Sequence, residues 1–188
     1  ASTTPIPISR SDDVNIDLSD CRALVTGGSR GIGRAIAEAL IASGARVAVQ
    51  YRSERAAAEE VVRGHAGSCV LGADLNSPSE CEGLFQRAED ALGGIDLLVN
   101  NAGIAMSSPL ESADEVWVAE WERTLAVNLT ASAVLSRAAI RAARSRRLPG
   151  VRLIFMSSRA AFRGDAADYV AYAASKGGMV ALARSIAR

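Results

Sequence analysis

Short, mostly apolar runs alternate along this chain with longer stretches whose apolar positions recur at helical spacing. The runs Ala23–Val25, Val47–Val49, Ser68–Leu71, Ile95–Val99 and Val151–Met156 carry few polar interruptions, the pattern of strands covered on both faces. Between the first two, Ile32, Ala35, Ile36, Ala39 and Leu40 follow a helical stripe, and Gly44 supplies a stop. Ser77-Pro78-Ser79-Glu80 has the form of a capping box with proline at the first helical position. It predicts a helix running towards Leu92 and closed by Gly93-Gly94. One long helix is expected from Val116 to Arg147, ended by Pro149-Gly150. Strand–helix–strand repetition through short turns predicts a doubly wound α/β domain over residues 21–188, with a parallel sheet between two layers of helices. Residues 1–20 are polar, carry Pro5 and Pro7, and read as a flexible lead-in rather than a secretory signal.

Composition narrows the function classes. At 188 residues, 49% hydrophobic and 22% charged, the chain fits one globular domain with a real core. Its 21 basic and 21 acidic side chains cancel, so no overall basic field draws in nucleic acid or anionic lipid. Arg141, Arg144, Arg146 and Arg147 form a local basic group suited to a helix C-terminus. Cys21, Cys69 and Cys81 lack CxxC spacing, and His65 is the only histidine; neither a metal site nor a disulfide framework is expected. Reduced thiols fit a cytoplasmic protein, and no apolar run is long enough to span a bilayer. His65 reads as an inert position on a surface helix.

Two segments carry chemistry. Tyr172 and Lys176 stand four residues apart, hence on one helical face. A tyrosine ordinarily keeps its proton up to a pKa of about 10, and an adjacent positive charge favours the phenolate, which suits the pair to carbonyl/alcohol interconversion. Upstream, Thr26-Gly27-Gly28-Ser29-Arg30-Gly31-Ile32-Gly33 follows the first strand and opens the first helix. Glycines there let the backbone approach a pyrophosphate, whose charge is met by free N–H groups at the helix start. The second strand ends Val49-Gln50-Tyr51-Arg52 without the acidic residue that usually holds the ribose of NAD. Arg30 and Arg52 therefore argue for NADP(H), with Arg52 as a plain solvated residue the alternative.

The loop resembles the TGxxxGxG signature of the short-chain dehydrogenase/reductase family, and four further segments agree with it in order and spacing. Asn100-Asn101-Ala102-Gly103 matches the family's NNAG, Asn128 its helical asparagine, Ser158 its serine after the fifth strand, and Tyr172 with Lys176 its YxxxK. The resemblance covers Arg22 to Arg188 and implies a Rossmann-like fold. It implies that Gly27, Ser29, Arg30, Gly31, Ile32, Gly33, Arg52, Asp74, Asn101, Ala102, Gly103, Tyr172 and Lys176 bind the cofactor. Of these, Asp74 would contact adenine, or else simply precede the Ser77 cap. Asn128, Ser158, Tyr172 and Lys176 would be catalytic. Tyr172 would exchange the proton and Lys176 would bind the nicotinamide ribose. Ser158 would hydrogen-bond the carbonyl oxygen, unless it caps a turn. Asn128 would hold a water that feeds the lysine, or else tie the long helix to a neighbouring loop.

The resulting expectation is an NADP(H)-dependent ketoreductase acting on a small carbonyl or alcohol substrate, similar to the 3-oxoacyl-[acyl-carrier-protein] reductases. Family habit implies a homodimer or homotetramer packed through the long helix and the Tyr172 helix. A nucleotide-binding regulatory or scaffold protein without turnover is the rival. A sugar epimerase of the extended branch fits less well, since its TGxxGxxG loop differs from Thr26–Gly33. The sequence ends at Arg188, inside the helix expected to carry Tyr172, and the expectation is that a C-terminal portion is missing.

Overall fold

The computed structural model describes residues 16–146 and 150–188. Five strands, β1 (Arg22–Val25), β2 (Arg46–Tyr51), β3 (Cys69–Gly72), β4 (Leu97–Asn100) and β5 (Arg152–Phe155), form one sheet in the order β3-β2-β1-β4-β5. Every pairing is parallel, with Val25 in register with Val49 on one side and Val99 on the other. Parallel strands need crossovers, which are supplied by α1 (Gly31–Ala42), α2 (Arg55–Val62), α3 (Pro78–Leu92), α4 (Asp114–Leu125) and α5 (Ala131–Ser145). A short α6 (Ala160–Arg163) and the final α7 (Val170–Ile186) follow β5.

The side-chain alternation of the strands splits the core in two. Leu24, Ala48 and Leu98 bury against Leu84, Phe85 and Leu92 of α3 and Leu135 and Ala139 of α5. Val25, Val47, Val49 and Val99 face the other way, onto Ala37 and Ile41 of α1 and Ala58 and Val61 of α2. Both layers are present, as the doubly wound pattern requires. At the β5 edge Arg152 and Ile154 stay exposed.

Local signals explain most element ends. The Ser77 hydroxyl accepts the Glu80 N–H at 3.3 Å, with Pro78 first in α3. The reciprocal half of the expected box is redirected, because the Glu80 carboxylate takes the Asp74 N–H at 2.7 Å. In α1 the buried face runs through Gly33, Ala37 and Ile41, shifted from the expected stripe. That helix is apolar on several faces, so periodicity alone did not select one, and Ile32 is left 65% exposed. His65 sits in an exposed turn after α2, not on a helix, because α2 ends at Val62.

The expected Val116–Arg147 helix is interrupted. Between α4 and α5 the residues Ala126–Thr130 form a π-helical turn centred on Asn128. Arg147 and the Pro149 stop lie outside the described residues, as does most of the 1–20 lead-in. Within that lead-in Leu18 donates its N–H to Ser43 O at 2.7 Å and packs on the core.

Candidate active site

The carboxyl ends of β1 and β4 meet where the strand order reverses, the position at which open α/β sheets bind ligands. Thr26, buried at the end of β1, organises the junction. Its Oγ1 donates to Val99 O and accepts the N–H groups of Asn101 and Ala102, both at 3.0 Å. The Asn101 amide returns bonds to Thr26 O at 2.8 Å and Gly27 O at 3.2 Å. The glycine loop and the NNAG segment are thereby one hydrogen-bonded unit.

Two glycines are dictated by geometry. Gly27 has φ +63°, and a Cβ there would lie 3.0 Å from Ala102 Cα. At Gly33 a Cβ would overlap Gly27 O and Asn101 Nδ2, so helix and loop approach only because that atom is missing. Arg30 precedes α1 with no side-chain cap, so among the described residues no side chain claims the first-turn N–H groups of the helix. Those groups border a cleft of about 360 Å³ lined by Gly27, Ser29, Arg30, Gly31, Ile32, Gly33, Arg52, Asp74, Asn101, Ala102 and Gly103. All the loop residues expected from the sequence are thus brought together. Uncapped helix N–H groups, a missing Cβ and two cationic side chains fit a dinucleotide phosphate. Arg30 and Arg52 are exposed at the rim and form no ion pair among the described residues. Glu54 and Asp74 line the same cleft.

A second pocket of about 210 Å³ continues from the first, sharing Ile32, Asn101, Gly103 and Ile104, and it contains Tyr172 and Lys176. Lys176 is 4% exposed. Its ammonium donates to Met156 O at 2.7 Å, contacts Met179 Sδ at 3.5 Å and lies 5.8 Å from the Tyr172 ring centroid. Burial pushes its pKa down to about 8. Ser157 lines this pocket, and its hydroxyl donates to Lys176 O at 3.0 Å. Ser158 is one residue further on; its Oγ accepts the Ala160 N–H at 3.2 Å, at the start of α6.

Asn128 is fully buried. Its Oδ1 accepts the Ile104 N–H at 2.8 Å, and its Nδ2 donates to Ile104 O and Ser175 Oγ, both at 2.9 Å. Ser175 Oγ in turn donates to Tyr172 O at 2.7 Å. The amide clasps the segment after Gly103 to the helix that carries the tyrosine. Gly103 is confined by the same groups, since a Cβ there would lie 3.3 Å from both Asn128 Oδ1 and Lys176 Nζ.

Sequence reasoning missed Gln50 and Ile104. Gln50 is 2% exposed and accepts the Gly27 N–H at 2.7 Å; an amide ending the otherwise apolar run Val47–Val49 was its signal. Ile104 acts through its backbone and left none. Among the described residues no group of three or more His, Cys, Asp or Glu side chains could hold a metal. The three cysteines are free, and burial raises the Cys81 thiol to about 11.

A glycine cradle at the switch point of a parallel sheet, opening into a pocket that holds a tyrosine and a buried lysine, defines a nucleotide-binding α/β protein. The sequence pattern of the short chain dehydrogenase family matches residues 22–188, and the chain belongs to the short-chain dehydrogenase/reductase family. It is 36% identical over 175 residues to 3beta-hydroxysteroid dehydrogenase 1 of Eggerthella lenta, covering 91% of this chain and 65% of that protein. It is 37% identical over 169 residues to the 3-oxoacyl-[acyl-carrier-protein] reductase of Escherichia coli, covering 88% and 66%. A short chain dehydrogenase from Burkholderia cenocepacia, crystallised in complex with NADP, superposes with a TM-score of 0.81 at 37% identity, covering 93% of this chain and 69% of that one. The chain spans about two thirds of the length of these curated relatives.

Proposed function

We propose that the chain forms the cofactor-binding and catalytic part of an NADP(H)-dependent oxidoreductase that interconverts a ketone and a secondary alcohol. The observation that carries this reading is the continuity of the phosphate-binding cleft with the pocket lined by Tyr172 and Lys176. Ser29, Gly31, Ile32 and Gly33 would hold the pyrophosphate, Arg30 and Arg52 the additional phosphate of NADP, Asp74 the adenine side, and Asn101, Ala102 and Gly103 the nicotinamide side. When bound, the nicotinamide gives or accepts a hydride.

The protein manages one proton. Tyr172 donates it to the carbonyl oxygen during reduction and takes it back during oxidation. Lys176 places a positive charge beside the phenol and holds the ribose hydroxyls; even with its pKa down at about 8 it is mostly charged at neutral pH. Ser158 accepts a backbone N–H at its oxygen, which leaves its own O–H free to donate to the substrate oxygen. The bonds of Asn128 to Ile104 and Ser175 favour a positioning role for it, and a water relay to Lys176 would use the remaining lone pair of Oδ1. Assembly as a homodimer or homotetramer through α4, α5 and α7, and a cytoplasmic location, belong to the same proposal.

The test is NADPH consumption on a panel of β-ketoacyl thioesters, 3-ketosteroids, diketones and quinones, with wild type and Tyr172→Phe. Turnover lost on the order of a hundredfold or more in the variant supports the assignment. Equal turnover by the two proteins overturns it. NADPH binding without consumption on any of these substrates would favour the nucleotide-binding scaffold.

A further inference from the structure

Gln50 is buried at the end of β2, in the wall of the larger cleft, and reaches both of its neighbours. Its Oε1 accepts the Gly27 N–H at 2.7 Å, and its Nε2 donates to Ala73 O at 2.9 Å. Its main-chain carbonyl accepts the Gly28 N–H at 3.0 Å. One residue therefore takes both leading N–H groups of the glycine loop, while Asn101 holds Gly27 O from the opposite side. The Thr26–Gly27–Gly28 backbone is clamped on two sides, and the N–H groups that remain for a phosphate lie further along, at the start of α1. The bond to Ala73 ties this loop to the end of β3, where Asp74 borders the cleft.

We infer that Gln50 is a positioning residue that aligns the two walls of the dinucleotide cleft, the phosphate loop and the β3–α3 turn, and so sets affinity for the cofactor. Leucine can reproduce neither bond, and ionised glutamate only one of the two. Leucine leaves the Gly27 N–H and Ala73 O without partners in a buried place. Glutamate keeps the acceptor for Gly27 and turns its second oxygen against Ala73 O, two acceptors in opposition unless the carboxyl is protonated. The inference rests on the reading of this cleft as a dinucleotide site.

The experiment is a fluorescence titration of NADPH with wild type, Gln50→Leu and Gln50→Glu from pH 5.5 to 8.5, with Tm measured alongside. Glu54 and Asp74 in the cleft wall, Glu80 beside Asp74, Arg30 and Arg52 at the rim, Tyr51 after Gln50 and the cofactor phosphate all titrate or carry charge there. The quantity read is therefore the ratio of variant to wild-type Kd at each pH. Both variants are expected to weaken binding by about tenfold or more at pH 8. For Gln50→Glu the ratio falls towards one as pH drops, and for Gln50→Leu it stays constant. If Gln50→Leu fails to fold, the pH course of the Gln50→Glu ratio carries the test. Ratios near one at every pH overturn the inference and leave the dinucleotide reading standing. Wild type that binds no NADPH overturns that reading, and the inference with it.

Discussion

Lys176 carries the sharpest physical tension in the molecule. Its ammonium is buried, keeps one strong acceptor in Met156 O, and has its pKa lowered from 10.5 to about 8 by lost hydration. The sign of the consequence is fixed. Between pH 8 and 10.5 the unfolded chain binds the proton and the folded chain does not, so this residue makes stability rise with pH across that window. Below pH 8 both states are charged and the folded one bears the full desolvation cost. Lys176→Met removes the effect. Its Tm in the absence of cofactor is expected to exceed that of wild type at pH 7, the difference shrinking as pH approaches 10.5; a pH-independent difference contradicts this. The adjacent serines separate by the same reasoning. Ser157 donates to Lys176 O, whereas Ser158 accepts a backbone N–H and makes no other hydrogen bond among the described residues. Ser158→Ala is expected to lower kcat by about tenfold or more, whereas Ser157→Ala costs about 1 kcal/mol of stability with a smaller change in kcat. Denaturation and steady-state kinetics of the pair read out both. Spacing and resemblance singled out Tyr172, Lys176 and Ser158 as candidates, and the structure puts Tyr172 and Lys176 in one pocket with Ser157. The different hydrogen-bond partners of the two serines were not legible, because they depend on where α6 begins and on a carbonyl 19 residues away.

The elements show where sequence reasoning works and where it stops. Strand–turn–helix at Thr26–Gly33 was readable because a short apolar run and clustered glycines are local signals. The break between α4 and α5 was not. Leu125–Thr130 contains neither glycine nor proline, so nothing local marks it. The π turn instead coincides with Asn128 reaching Ile104, a partner 24 residues away, a tertiary contact that periodicity cannot see. The expected buried stripe of α1 failed for a related reason, since apolar residues on several faces leave the choice to the sheet. The close approach of α1 to the loop makes a direct prediction. Gly33→Ala forces a Cβ against Gly27 O and Asn101 Nδ2, and overpacking of this kind costs about 1–3 kcal/mol. Urea unfolding should show that loss together with weakened NADPH binding. Unchanged stability and affinity would mean the contact is slack.

Across the whole molecule the fold was the most legible level. Five parallel strands with crossovers on both faces follow from alternation alone, and the order β3-β2-β1-β4-β5 brings the β1 and β4 loops together. Far from that site, Arg22 and Asp96 form a two-bond ion pair at 2.7 Å that joins the start of β1 to the approach of β4. Hydrogen bonding to Arg22 holds the Asp96 carboxyl below its usual range. Its stabilisation is present above about pH 4 and lost as pH falls through the lowered value, so Asp96→Asn should flatten the acid side of the Tm profile; an unchanged profile contradicts that. Both clefts open at the carboxyl edge of the sheet, and the proposed hydride transfer requires that they be one site. A crystal structure of this chain with NADP tests that most directly. The pyrophosphate is expected against the start of α1, the nicotinamide in the pocket beside Tyr172, and the Lys176 ammonium moved from Met156 O to the ribose hydroxyls. A nicotinamide ring lying outside that pocket, with Lys176 still bonded to Met156 O, would contradict it.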